Sequence, residues 1–152
     1  MPENPTEIRI RPAFGPSEYP ALVGIWRSAV RATHDFLEES DFARIEGNLA
    51  SAYFPAVTLI VAERDKRPIA FAGVAEGNLE MLFVSDDARG TGIGTVLLRE
   101  TVERHGVTRV DVNEQNPQGH GFYLSRGFVQ TGRSEVDGDG RPYPTLHLAL
   151  PA

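Results

Sequence analysis

Val84-Ser85-Asp86-Asp87-Ala88-Arg89-Gly90-Thr91-Gly92-Ile93-Gly94 is the stretch whose reading decides the fold. It follows an apolar run, Leu79-Glu80-Met81-Leu82-Phe83-Val84, and leads into a helical pattern from about Gly92 to His105. Alternating glycines at 90, 92 and 94 carry no Cβ, so backbone N–H groups can converge there. Between a strand and a helix N-terminus, those groups and the helix dipole favour an anion. Arg89 adds a permanent positive charge at the mouth. The loop therefore reads as a phosphate site, suited to pyrophosphate, or as a plain glycine-rich turn capping a helix. Two nucleotide signatures fail on spacing. In G-x-G-x-x-G the third glycine would come one residue later, and that motif belongs to a parallel βαβ unit. In G-x-x-x-x-G-K-[ST], the position five after Gly90 is Thr95 and no lysine is near.

The elements around this loop read as mixed α and β. Ile8–Arg11 alternates and is closed by Pro12. Ser17 is placed to cap a helix starting at Glu18, on which Leu22, Ile25, Trp26, Ala29 and Thr33 share a face. A second helix is predicted from Ser40 or Asp41 to about Tyr53, stopped by Pro55. Three strands follow, Ala56–Ala62, Ile69–Ala75 and Leu79–Val84, joined by turns short enough to require antiparallel hairpins. The helix after the glycine loop is expected to turn Ile93, Val96, Leu97 and Thr101 inward, with Gly106 ending it. Val107–Asn113 is a strand, Pro117–Arg126 a short helix, and Phe128–Gly132 and Thr145–Leu150 the last strands. The order is β-α-α-β-β-β-α-β-α-β-β.

The whole chain has 152 residues, 41% of them hydrophobic and 24% charged, which fits one globular domain over 1–152. A formal charge of −6 argues against a nucleic-acid partner, which needs a basic footprint. With no cysteine, disulfides and thiolate chemistry are excluded. The four histidines show no i,i+4 pair and no H-E-x-x-H. Asp137-Gly138-Asp139-Gly140 starts like a calcium loop, but Leu148 stands where its closing Glu belongs, so no metal is expected. No apolar run reaches the ~20 residues of a spanning helix, so no membrane partner is expected. Met1-Pro2-Glu3-Asn4-Pro5 lacks a signal-peptide layout, and a cytoplasmic location is the expectation.

Arg89-x-x-Gly92-x-Gly94 resembles the acetyl-CoA signature of the GCN5-related N-acetyltransferase (GNAT) family. Asn116-x-x-Gly119-x-x-Phe122-Tyr123-x-x-x-Gly127-Phe128 resembles that family's second block, with Gly119 in place of the usual Ala. The element order agrees over nearly the whole chain. Trp26, Val30, the run Ala32–Leu37, Val112–Asn116 and Gly132–Asp137 look closer still to one bacterial subgroup. Asp86 stands where the family usually has Pro. The resemblance implies an α+β GNAT fold: a mostly antiparallel twisted sheet of about seven strands flanked by about four helices. It also implies direct acetyl transfer from acetyl-CoA to a primary amine of a small molecule or peptide.

The resemblance also implies a role for each of these site residues. The backbone of Leu82, Phe83 and Val84 would pair with pantetheine. The amides of Gly90, Thr91, Gly92, Ile93, Gly94 and Thr95, with Arg89, would hold the pyrophosphate, and Asn116 would touch the pantetheine arm. Tyr123 would protonate or hydrogen-bond the leaving sulfur; on spacing alone it reads rather as a core tyrosine, and it is the matched block that favours the acid. Glu80, interrupting an apolar strand and sharing a face with Leu82 and Val84, is the candidate base, since an apolar setting would strengthen it. It also reads as a carboxylate on a solvated face. Tyr143, in Arg141-Pro142-Tyr143-Pro144, lies in a loop that in the family often approaches the acceptor, and is the third catalytic candidate beside Tyr123 and Glu80; it also reads as an ordinary hairpin-loop residue. His34 and Phe36 follow the first helix, where acceptor lids form, or are a plain helix end. His120 and His147 read as structural. A CoA-binding module without catalysis is the alternative function, and the chain would be a monomer or homodimer.

Overall fold

The computed structural model describes residues 7–151. The Met1–Pro5 stretch, expected to lack a signal peptide, lies outside them. Seven strands form one sheet in the order β1-β2-β3-β4-β5-β7-β6: β1 (Arg9–Pro12), β2 (Thr58–Arg64), β3 (Arg67–Ala75), β4 (Asn78–Val84), β5 (Arg109–Asn113), β6 (Val129–Ser134) and β7 (Thr145–Ala149). Every pairing is antiparallel except β4 with β5. The helices are α1 (Tyr19–Thr33), α2 (Glu39–Asn48), α3 (Ile93–His105) and α4 (Pro117–Ser125).

Strand alternation divides the core in two. On β2, Leu59 and Val61 point to the α1 and α2 side, where they meet Leu22, Trp26 and Phe42. Ile60 and Ala62 point to the α3 side, with Ile93, Leu97 and Leu98. Burying both faces explains why β2 and β3 read as continuous apolar runs.

Several expectations change in detail. Ser17 caps nothing: residues 16–18 form a short 3-10 turn ahead of α1, whose first turn has no side-chain cap. Glu18 instead turns inward to accept from the Arg11 guanidinium and the Phe14 N–H. Val96 is 42% exposed, whereas Ile93, Leu97, Leu98 and Thr101 are buried. At 100° per residue the i+4 series 93, 97, 101 makes the stripe, with 98 beside it and 96 at its outer edge. The second helix does not run regularly to Tyr53. It ends at Asn48 and widens into a π stretch over Leu49–Tyr53, so that Leu49 and Phe54, five apart, both enter the core.

Candidate active site

The site starts from a register fault in β4. Gly73 of β3 faces Met81, and the next residue, Val74, faces Leu79, so Glu80 is an extra residue bulged out of the ladder. The bulge inverts the side-chain parity of the strand. Leu79 joins Leu82 and Val84 on the α3 side, while Met81 and Phe83 face α1 and α2. The expectation that Glu80 shares a face with Leu82 and Val84 is therefore corrected: the bulge carries it to the Met81 side. Glu80 is exposed rather than set among apolar groups, and its carboxylate has no hydrogen-bond or ion-pair partner among the described residues.

At the same point β4 leaves β5. The two parallel strands pair only through Asn78 with Arg109 and Leu79 with Val110. Beyond Leu79 the β4 edge is unpaired on that side, and a groove of about 480 Å³ opens along it. Unpaired strand N–H and C=O groups need partners, and an extended amide chain lying in the groove would supply them. The groove is lined by Leu82, Phe83, Val84, Arg89, Gly90, Gly92, Ile93, Gly94, Thr95, Asn116 and Tyr123, so it assembles all but Thr91 of the residues assigned above to the coenzyme. The Thr91 hydroxyl donates to the Ala88 carbonyl, 2.6 Å away, and shapes the loop.

Gly90 and Gly92 have φ of +76° and +84°, left-handed values that favour glycine, and a Cβ built on either would meet nothing within 4 Å. The space before the helix is open on that side. Gly92 is the N-cap of α3 and gives no side-chain cap, so the first-turn N–H groups lack an intrahelical partner. Arg89 leans across the groove mouth and donates to Gln118 Oε1 at 2.7 Å, with Asp86 Oδ1 at 3.3 Å. A second arginine, not singled out from the sequence, completes the mouth. Arg126 ends α4, lies over the Phe122 ring and donates from Nε to Thr95 Oγ1 at 3.0 Å. Its signal was its place one residue before Gly127 in the second block. Asn116 caps α4, its side-chain carbonyl accepting from the Gly119 N–H at 3.2 Å. Gly119 fits for a local reason: a Cβ there would stand 2.7 Å from Asn116 Nδ2.

Tyr123 is 8% exposed, packed against Phe122 and Phe128. Its hydroxyl has no hydrogen-bond partner among the described residues, and burial alone pushes the phenol's pKa well up. It stays a neutral O–H donor at the groove wall.

A second cavity, about 530 Å³, lies on the α1 and α2 side of β4. Trp26, Val30, Ile45, Leu49, Met81 and Phe83 give it apolar walls, and among its described lining residues the charged ones are both acidic, Glu80 and Asp137. It meets the groove beside β4 at His34, Glu80, Met81, Phe83 and Asn113, which line both. Tyr143 lines the second cavity and not the first. Its hydroxyl donates to Asp41 Oδ2 at 2.6 Å and accepts from the Glu38 N–H at 3.2 Å. Burial, then the Asp41 carboxylate, raise the phenol's pKa; the Tyr143 hydroxyl, then Arg141, hold Asp41 below the ordinary carboxylate range. His147 bridges Asp111 and Ser134 on the far part of the sheet, a structural position. Among the described residues no group of three or more His, Asp or Glu is placed to hold a metal, and no helix is long and apolar enough to cross a membrane.

A splayed β4–β5 pair, a glycine-rich start to the following helix and a second cavity across the sheet belong to the GNAT fold, and the class of protein is an acetyltransferase. The acetyltransferase (GNAT) domain family matches residues 29–147, and the chain belongs to that family. It is an acyltransferase that moves an acetyl group from acetyl-CoA to an amine. The chain is 43% identical over 131 residues to the peptidyl-lysine N-acetyltransferase YjaB of Salmonella typhimurium, covering 86% of this chain and 90% of the relative. YjaB of Escherichia coli is likewise 43% identical, over 130 residues covering 84% and 87%. The solution structure of apo-form YjaB from Escherichia coli superposes with a TM-score of 0.86 at 39% identity, covering 95% of this chain and 97% of that one. The PaiA N-acetyltransferase of Thermoplasma acidophilum, solved in complex with coenzyme A, shares the fold: TM-score 0.73, 19% identity, 93% and 98% covered.

Proposed function

We propose that this chain acetylates the side-chain amine of lysine presented on a peptide or protein, as a single domain over 1–152 acting in the cytoplasm. The observation that carries the reading is the second cavity. Its apolar walls suit the four methylenes of a lysine stem, and its acidic residues, Glu80 and Asp137, suit the ammonium. The YjaB relatives, which are peptidyl-lysine N-acetyltransferases, support the same substrate. The formal charge of −6 supports a reading without a nucleic-acid partner.

The residues divide the work as follows. Glu80 lines both cavities, and its carboxylate is free to take the ammonium proton, directly or through water. The neutral nitrogen attacks the thioester carbonyl carbon. As the carbon–sulfur bond breaks, the Tyr123 hydroxyl donates to the leaving thiolate, and the second proton that the nitrogen sheds as the amide forms returns to the phenol oxygen through water. Groove-edge backbone of Leu82 to Val84 holds the pantetheine amides, and the α3 N-terminus with Arg89 and Arg126 holds the phosphates. Tyr143, its hydroxyl engaged by Asp41, builds the acceptor cavity rather than moving a proton.

The test is acetyl-CoA turnover with a lysine peptide, its α-amine blocked, beside free amino acids and polyamines. The peptide should be the preferred acceptor, and Glu80→Gln should lower its kcat/KM by roughly 10²–10⁴-fold. Turnover of small amines with none on peptide lysine would overturn the substrate class. Full activity in Glu80→Gln would remove the base.

A further inference from the structure

His34 follows the last residue of α1 and is among the residues that line both the acceptor cavity and the coenzyme groove. Its hydrogen-bond partner fixes which ring nitrogen is left over. Thr33 Oγ1 donates its one proton to the Ala29 carbonyl, 2.8 Å away. The same oxygen lies 2.6 Å from His34 Nδ1. With its proton already placed, Oγ1 accepts there, so Nδ1 carries the hydrogen. In a neutral ring that leaves Nε2 as a bare acceptor. Burial holds the imidazole neutral, with a pKa lowered to about 4 against the weaker opposing pull of Asp35. The Phe36 ring packs at 5.2 Å and, with the Thr33 bond, sets the ring plane. Nε2 makes no hydrogen bond to any described residue.

We propose that His34 Nε2 accepts a hydrogen bond from an N–H of the acceptor amine and so turns its lone pair toward the thioester. The inference rests on the reading of the second cavity as the amine site. It adds a division of labour: Glu80 takes the proton, and His34 orients the nitrogen without titrating. It also gives a reason for amine over hydroxyl acceptors. A nitrogen that has lost one proton to the base still has an N–H to give His34, whereas a hydroxyl oxygen has none left.

Two substitutions separate this role from a structural one, because they keep opposite ends of the ring. His34→Asn places an amide N–H where Nδ1–H meets Thr33 and leaves nothing at Nε2. His34→Gln gives up the Thr33 bond and places an amide oxygen near the position of Nε2. For a lysine peptide, His34→Gln should keep kcat/KM within about threefold of the parent, and His34→Asn should lose about tenfold or more, mainly in kcat. Acetyl-CoA affinity by calorimetry should be the same in both. Equal losses, or the greater loss in His34→Gln, would overturn the proposal in favour of a helix-end role through Thr33. The ring can also be read in the unaltered protein. ¹⁵N NMR should show Nδ1 protonated and Nε2 unprotonated at neutral pH, and the opposite tautomer would overturn the assignment. A parent enzyme inactive on lysine peptides would instead sink the substrate reading, a failure distinct from either of these.

Discussion

The Tyr143 hydroxyl sits 2.6 Å from Asp41 Oδ2 and joins the β6–β7 loop to α2, two segments separated by 102 positions in the chain. Arg141 Nε, from the same loop, bonds the other Asp41 oxygen at 3.0 Å. Arg44 Nη1 bonds Asp139 Oδ2 at 2.9 Å, and the Tyr53 hydroxyl reaches that oxygen at 3.3 Å. Two members of this clasp, Tyr53 and Tyr143, line the cavity proposed for the acceptor. Tyr143→Phe should therefore raise KM for the acceptor several-fold while leaving KM for acetyl-CoA unchanged. Steady-state kinetics with each substrate varied in turn will check it. A selective fall in kcat would return Tyr143 to a chemical role.

Tyr123→Phe should do the opposite. The parent hydroxyl has no partner among the described residues, so its removal breaks no bond and the melting temperature should hold. The donor to the departing sulfur is lost, and kcat should fall roughly ten- to a thousandfold with KM for acetyl-CoA changed less. Burial keeps the phenol protonated, so Tyr123 should add no alkaline limb to the pH–rate profile across the ordinary assay range. Parent-like turnover in the variant would exclude Tyr123 as the acid.

Arg89 and Arg126 flank the same helix start, and both line the groove. Replacing either by Ala should weaken CoA binding by about 1–3 kcal/mol, the range of a charge-assisted bond. A pantetheine fragment without phosphates should bind parent and variants alike. Calorimetry on both ligands checks this, and equal losses for the two would place the arginines away from the phosphates.

The part-buried Arg11–Glu18 pair sets an acid limit on stability. Arg11 donates to both Glu18 oxygens, at 2.9 and 2.6 Å, and from Nε to Glu63 at 3.0 Å. The Arg11 hydrogen bonds hold the Glu18 pKa below its ordinary value despite burial. A carboxylate depressed in the folded state stabilises it above the unfolded pKa, and that contribution fades as pH falls through the folded value. Glu18→Gln should cost about 1–3 kcal/mol near neutrality. Its urea midpoint should then depend less on pH than the parent's below about pH 4.5. Parallel curves for the two proteins would show that Glu18 does not carry this linkage.

Local chemistry alone accounts for much of this protein. Alternating glycines before a helix leave backbone N–H groups open to an anion, because Cβ-free backbone and the free N–H groups of a helix start are local properties. Short turns dictate hairpins, and the spacing from Asn116 to Phe128 placed Tyr123 on its helix. The tertiary structure decided the rest. Glu80 changes face through a one-residue bulge, and a period-2 reading of Leu79–Val84 contains no trace of it, since the extra residue shows only in the register against Gly73 and Val74. The splay depends on where β4 stops pairing with β5, 31 residues further on from Asn78 to Arg109. Arg126 on Thr95, Tyr143 on Asp41 and His34 between two cavities are likewise contacts between distant segments. Local sequence determines which backbone conformations are inexpensive. Which side chains then face one another depends on packing across the sheet, and there the second cavity was made.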